Sequence, residues 1–151
     1  MKWLYCYLDD EHYTLPAFSL FDSIEDAKKY CYDNAADNFS VEWSVITTEK
    51  YRCVYSYEGS FEVTELLGVE DAGCYLIWHH AYEGVNFKII AAGNEKECMI
   101  AMEEKKKKIM ADFPDTVLVW ETSKQCCFDN GQEYEVLSIV INKNGKLSYI
   151  W

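Results

Sequence analysis

The residue types that could cut a phosphodiester bond come together in one stretch of this sequence. Pro114-Asp115 is followed there by Glu121 and Lys124. In metal-dependent nucleases, carboxylates hold Mg²⁺ and a lysine positions the attacking water. Glu121 and Lys124 are three positions apart, and on one strand such a pair points to opposite faces of the sheet. The spacing therefore argues against a nuclease.

The histidines and cysteines do not have the spacing of a metal site either. His79 and His80 are adjacent, as are Cys126 and Cys127, and neighbours on a strand point to opposite faces. The C-x-x-C, H-E-x-x-H and G-x-S-x-G motifs and the glycine-rich phosphate loops do not occur in the sequence. We therefore predict no catalytic residue, no metal and no cofactor, and expect His79 or His80 to be a buried, hydrogen-bonded strand residue. A cryptic enzyme with a cysteine nucleophile near His80 in space stays an alternative.

The cysteine count and the first apolar segment bear on the cellular compartment. Seven cysteines, an odd number, favour reduced thiols that pack as small hydrophobic side chains. The run Trp3–Leu8 is too short for a signal peptide or a membrane-spanning helix, and acidic residues follow it at once. We therefore expect a cytoplasmic protein that does not contact a membrane.

The strongest pattern in the sequence is an internal repeat. In each half, a predicted helix cap is followed three positions later by an acidic residue and then by the first inward-facing residue. The matched pairs, each 71 positions apart, are Ser23 and Asn94, Asp26 and Glu97, and Ala27 and Cys98. Equivalent helices require equivalent capping, so the offset predicts two copies of one unit.

Strands are predicted in the same order around both helices, because β-branched and aromatic residues alternate there with polar ones. The first copy is Trp3–Leu8, Tyr13–Phe21, a helix over Ser23–Asp37, Val41–Thr47, 50–54 and Phe61–Val63. The second copy is Tyr75–Tyr82, Val85–Ala92, a helix over Asn94–Ala111, Thr116–Thr122, 124–128 and Tyr134–Val136. An offset of 74 in the fifth element aligns Cys53 with Cys127 as a core position.

Glycines mark the joint between the copies and the last turn. Gly68–Gly73 is a short turn-rich segment, and Asn144-Gly145 is a strong two-residue hairpin signal ahead of a final strand, Lys146–Trp151. The predicted fold class is α+β, with two tandem strand-strand-helix-strand-strand(-strand) units, an antiparallel sheet and one helix per unit. The predicted units are residues 1–72 and 73–151, packed as one compact pseudo-symmetric domain.

The two copies differ most in charge. Residues 1–72 carry 15 acidic and 5 basic residues, a net charge of −10, whereas residues 73–151 carry 11 and 9, a net charge of −2. On the first predicted helix the carboxylates share one outward line, to which an acidic turn could add. The predicted partner-binding residues are Asp9, Asp10, Glu11, Asp22, Asp26, Asp33 and Asp37.

Two interpretations of this acidic face remain open. Like charges spaced along a helix destabilise it slightly, so the face does not help the fold. It is either a solvated surface that keeps the protein soluble or a docking face for a basic partner. Direct binding to nucleic acid is disfavoured, because phosphate contacts require clustered cations.

The order of elements resembles small proteins encoded by phages and other mobile elements. Tyr82-Glu83-Gly84 and Asn94–Glu97 carry the resemblance, with Asp9–His12 and Ser23–Asp26 as a looser first version. The resemblance implies a stoichiometric, non-enzymatic inhibitor of the anti-CRISPR or anti-defence type. Its partner would be a basic host protein that handles nucleic acid, such as a nuclease effector. The alternatives are a small-molecule (nucleotide-like) binding or sequestering protein with its ligand between the two copies, a cryptic enzyme, and an interaction module.

Overall fold

The fold is α+β, as predicted, and consists mainly of antiparallel sheet. The structure is a computed structural model that describes residues 1–7, 16–34, 40–58, 60–80, 86–131 and 134–150. These residues form eleven strands and two helices. The chain divides into two compact units, Met1–Asp71 and Ala72–Trp151. Neither of the two described helices is long and apolar enough to cross a membrane.

The first unit is a five-stranded antiparallel sheet with one helix. Its elements are β1 (Lys2–Tyr7), β2 (Ala17–Phe21), α1 (Ile24–Asn34), β3 (Ser40–Thr47), β4 (Lys50–Tyr57) and β5 (Ser60–Val69). The strand order is β3-β4-β5-β1-β2. Alternate residues on the strands face α1, and Ala27 and Cys31 of the helix are fully buried against them. The strand residues of this core are Trp3, Tyr5, Cys53, Tyr55 and Leu66.

The second unit has the same order of elements with one strand added at the end. Its elements are β6 (Cys74–His80), β7 (Phe87–Gly93), α2 (Glu95–Asp112), β8 (Val117–Glu121), β9 (Gln125–Asp129), β10 (Tyr134–Lys143) and β11 (Lys146–Tyr149). The strand order is β8-β9-β10-β6-β7, and β11 pairs with the last residues of β10. Cys98, Met102 and Ile109 of α2 are buried against this sheet.

Both helices begin where capping chemistry predicts. The Asp26 N–H donates to Ser23 Oγ at 3.1 Å ahead of α1. At α2, the Glu97 N–H donates to Asn94 Oδ1 at 2.8 Å and Glu97 Oε1 accepts from the Asn94 N–H, which completes a capping box. The first inward residues, Ala27 and Cys98, are both fully buried, as predicted.

The element bounds differ from the predictions mainly at the joint and at the ends. The predicted joint at Gly68–Gly73 is wrong at its start, because Gly68 lies inside β5 opposite Trp3 of β1. A Cβ on Gly68 would meet Met1 Sδ at 2.7 Å, so the glycine allows a close packing contact and not a turn. The predicted ends of four elements and the starts of two fall outside the described residues: the ends of Trp3–Leu8, Ser23–Asp37, Tyr75–Tyr82 and Lys146–Trp151, and the starts of Tyr13–Phe21 and Val85–Ala92.

The strand register corrects the alignment of Cys53 with Cys127. Cys53 packs against α1 in the first core, whereas Cys126, not Cys127, packs against α2 in the second. Successive residues of a strand alternate between faces, so an error of one residue in the offset moves a side chain to the other face. Cys53 and Cys126, 73 positions apart, therefore take like positions in the cores of their own units. All seven cysteines are buried and have free thiols.

Candidate docking surface and buried polar groups

Helix α1 carries the described part of the predicted acidic face. Asp22 precedes the cap, Asp26 lies in the first turn and Asp33 in the last, and all three are exposed. We call this set (Asp22, Asp26 and Asp33) the acidic ridge. The other predicted partner-binding residues, Asp9, Asp10, Glu11 and Asp37, lie outside the described residues.

Two lysines contact the acidic ridge. Lys2 of β1 donates a hydrogen bond to Asp22, and this bond lowers the pKa of the Asp22 carboxyl. Lys29 donates to Asp33 at 2.7 Å, one helical turn away, and the pKa of Lys29 is raised by that bond. The Lys29 contact follows from its spacing in the sequence, whereas the Lys2 contact is across strands and was missed. The carboxylates remain accessible, with 80% of the Asp22 side chain and 59% of the Asp33 side chain exposed.

An aromatic group lies on the neighbouring flank of α1. Tyr32 is 53% exposed, and its hydroxyl accepts a hydrogen bond from Trp43 Nε1 of β3 at 3.0 Å. The Lys28 ammonium lies 5.4 Å from the Trp43 ring centroid and 4.7 Å from that of Tyr51. We call Tyr32 and Trp43 the aromatic flank. Their rings combine apolar area with a polar tip, the composition typical of residues that anchor protein interfaces.

A buried charge cluster lies on the sheet face of the first unit that does not face α1. The Glu65 side chain is fully buried, and its Oε2 accepts from Arg52 Nη2 at 3.0 Å and Nε at 3.3 Å, while Lys50 Nζ lies 3.4 Å away. Cys6 is opposite Glu65 in the β1–β5 register, and the pKa of its thiol is raised by burial and then by the Glu65 carboxylate. Removing one partner of such a cluster leaves a buried charge unpaired, which destabilises the fold. We therefore assign the cluster a structural role.

Two thiols of the first core contact each other. The Cys31 thiol of α1 lies beside the Cys53 thiol of β4, and their hydrogen bond lowers the pKa of Cys31 and raises that of Cys53. A lowered pKa is typical of a nucleophilic cysteine, but catalytic thiols are also partly exposed. Cys31 and Cys53 are both 0% exposed. The pair therefore offers no substrate access in this conformation.

The two adjacent histidines point to opposite faces of β6, as predicted. The His80 ring packs edge-on against Trp78, with ring centroids 4.3 Å apart. His79 is 2% exposed and stacks on Phe87 at 5.4 Å. The expectation of a hydrogen-bonded buried histidine is wrong for the Nδ1 atom of His79, which has no hydrogen-bond partner among the described residues. Burial, and then the neighbouring His80, lowers the pKa of His79 to about 4.

The residues with nuclease-like spacing lie apart, but not for the predicted reason. Lys124 is not on the same strand as Glu121, because β8 ends at Glu121 and a turn follows. Glu121 accepts from Lys106 of α2 at 2.7 Å, whereas Lys124 pairs with Glu95 at 2.6 Å. Lys106 and Glu95 are eleven residues apart on α2, or about 16 Å along its axis. Each side chain is therefore engaged at a different point along α2.

Across the described part of the chain, no group of three or more His, Cys, Asp or Glu side chains is placed to hold a metal ion. No protein-family model, curated protein sequence or solved structure matches the chain.

Proposed function

We propose that this protein is a non-enzymatic binding protein whose acidic ridge docks on a basic, nucleic-acid-handling protein of the host cell. The observation that carries the proposal is the exposure of the ridge on the unit that holds most of the net charge. Residues 1–72 carry −10 of the total of −12. A groove built to bind phosphates is cationic, so exposed carboxylates on α1 and just before it are complementary to the groove.

The contacts of the ridge with Lys2 and Lys29 are compatible with docking. Exposed ion pairs contribute little to stability, because water screens them and both side chains lose freedom. Asp22 and Asp33 can therefore exchange these lysines for cations of a partner at little cost. Exchange of this kind also makes the binding sensitive to salt, because screening weakens exposed charge pairs.

The aromatic flank supplies the second element of the proposed surface. Charge mainly speeds and orients an encounter, whereas buried aromatic anchors contribute most of the affinity at a typical interface. Tyr32 is more than half exposed and lies next to Asp33 in the chain. We place the centre of the interface at the exposed Tyr32, with the half-buried Trp43 beside it and the ridge along its edge.

We further propose that the protein is a stoichiometric inhibitor of the anti-CRISPR or anti-defence type encoded by a phage or mobile element. The basis is the resemblance in the order of elements, together with the acidic ridge. Such an inhibitor needs no reaction of its own, because occupation of the basic groove excludes the nucleic acid. A nuclease effector is the partner class that this mechanism fits.

The proposed history of the chain is a tandem duplication. The strand orders β3-β4-β5-β1-β2 and β8-β9-β10-β6-β7 correspond element by element, which supports it. The caps at Ser23 and Asn94 and the buried Ala27 and Cys98 correspond as well. Under this proposal the charge difference between the units arose after duplication, when the first unit acquired its ridge.

A pull-down from host lysate tests the proposed function. Tagged protein is incubated with lysate at about 50 mM and about 500 mM NaCl, and retained proteins and small molecules are identified by mass spectrometry. We expect a basic, nucleic-acid-handling protein that is retained at low salt and lost at high salt. Retention of a nucleotide-like metabolite at both salt concentrations, with no such protein, would contradict the proposal and favour the small-molecule alternative.

A further inference from the structure

Strand β8 is the outer strand of the second sheet. It pairs antiparallel with β9, and none of the other described strands pairs with its remaining side. Its five residues, Val-Leu-Val-Trp-Glu, are exposed except for the half-buried Leu118. The outward N–H and C=O groups of such a strand match the backbone of another extended chain.

The side chains around this edge are apolar. Val117 is 61% exposed, Val119 49% and Trp120 40%. Phe113, just after α2, is 60% exposed and extends the same surface. Natural sheets commonly protect an exposed edge with lysine or proline. β8 has neither, although a bulge between Leu118 and Trp120 shortens the regular ladder.

The charges near β8 permit pairing with a second copy. Glu121 is the one charged residue of the strand, and Lys106 already compensates it at 2.7 Å. In an antiparallel pair of β8 strands about a two-fold axis, the one carboxylate of each strand is thus already compensated. The surrounding residues 73–151 have a net charge of only −2, compared with −10 for residues 1–72.

The outer strand of the first sheet provides an internal comparison. β3 also pairs with one described strand, β4, and exposes Val45 and Ile46 at 68% and 45%. It contains Glu42 and belongs to the strongly acidic unit. Pairing of two β3 strands would bring two units of charge −10 together, so charge repulsion opposes it.

We propose that β8 is a self-association edge, through which two copies of this chain form a symmetric dimer by antiparallel β8–β8 pairing. The proposal does not rest on the proposed function, because it uses different residues. The dimer carries two acidic ridges, one from each copy. The bulge keeps the shared ladder short, so the dimer dissociates on dilution.

Analytical ultracentrifugation tests this proposal. The wild-type protein is examined from about 5 to about 500 µM, because mass action favours a dimer at high concentration. We expect the apparent mass to rise from 17.6 kDa towards twice that value. Val117→Lys/Val119→Lys is expected to remain monomeric, and the matched variant on the other outer strand, Val45→Lys/Ile46→Lys, to dimerise like the wild type. A wild-type mass that stays at 17.6 kDa throughout would overturn the proposal.

If the β8 variant does not fold, amide hydrogen exchange of the wild-type protein tests the proposal instead. In wild-type protein, the amides of residues 117–121 are expected to become more protected as the concentration rises. Dimerisation without added protection there would assign the interface to another surface and overturn the proposal. Protection that appears only when a host protein is added would show that a strand of that protein occupies the edge, with the same consequence.

Discussion

A charge on the imidazole of His79 is unfavourable in the folded protein. The ring is buried against Phe87, and the pKa is lowered to about 4 by burial and by the neighbouring His80. In the unfolded chain the same group has a pKa of about 6.5. Between these values only the unfolded chain takes up the proton, so the free energy of unfolding falls as the pH falls through this window.

We therefore predict that His79→Met flattens the acid side of the stability profile. A pKa difference of this size corresponds to roughly 3 kcal/mol in the free energy of unfolding. The wild type loses this stability as the pH falls from about 6.5 to about 4, and the variant retains it. Urea unfolding of both proteins across that range measures the difference. An NMR titration of His79 in the folded protein gives an independent check, and a midpoint near 6.5 would contradict this account.

The capping box of α2 yields a second prediction at the same scale. Asn94→Ala removes the acceptor of the Glu97 N–H and is expected to lower the free energy of unfolding by about 1 kcal/mol. Glu97→Gln keeps a side-chain oxygen for the Asn94 N–H, so it should cost less and serves as the control. Equal stability of Asn94→Ala and the wild type, measured by urea unfolding, would show that the cap is dispensable.

Contacts between residues within one helical turn of each other in the sequence could be predicted from it. Ser23, Asn94 and their acidic partners needed only local chemistry, and so did the Lys29–Asp33 pair at one helical turn. The cluster of Glu65 with Arg52 and Lys50 was missed, because it depends on the register between β4 and β5. The available signal was an acidic residue directly before Leu66 and Leu67 of β5, with two cations spaced two apart on the preceding strand.

At the scale of elements, the hairpin between β10 and β11 has the turn that its sequence predicts. Asn144 and Gly145 both have positive φ, at 55° and 89°, as a type I′ turn requires. Gly145→Ala is expected to lower the free energy of unfolding by about 1 kcal/mol, because a Cβ is strained at that φ.

Gly73→Ala is the matched control for the hairpin. Gly73 is not among the residues with positive φ, and its added Cβ would meet only the Gly93 carbonyl, at 4.0 Å. Thermal unfolding of the two variants compares the positions directly. An equal loss of stability in the two variants would mean that the turn conformation of Gly145 does not contribute to stability.

Element order was predictable, whereas element register was not. The alternation of apolar residues in β4 and β9 identifies two strands, yet it does not fix which residue of one corresponds to which residue of the other. The pairing with β5 and β10 fixes this, and it matches Cys53 with Cys126. Gly68 is a second case in which strand pairing was needed. A glycine in the sequence indicates a turn, but the pairing of β5 with β1 shows that Gly68 lies inside a strand.

At the scale of the whole molecule, the two proposed binding surfaces belong to units of different charge. The ridge and the aromatic flank belong to the strongly acidic unit, and the apolar edge at β8 belongs to the nearly neutral one. Charge repulsion that disfavours self-association at β3 leaves α1 available to a basic partner. The acidic ridge was predicted from the sequence, whereas the aromatic flank and the β8 edge were not, because the exposure of Tyr32, Val117 and Val119 depends on the fold.

The measurement that tests the docking claim most directly is the affinity of two charge-matched variants for the captured partner. Asp26→Lys/Asp33→Lys reverses the ridge, and Asp112→Lys/Asp115→Lys makes the same change in charge at exposed positions of the second unit. Calorimetry at about 50 mM NaCl should show at least tenfold weaker binding, about 1.4 kcal/mol, for the ridge variant and near-wild-type binding for the other. Equal affinities for the two variants, both folded by circular dichroism, would contradict docking through the acidic ridge.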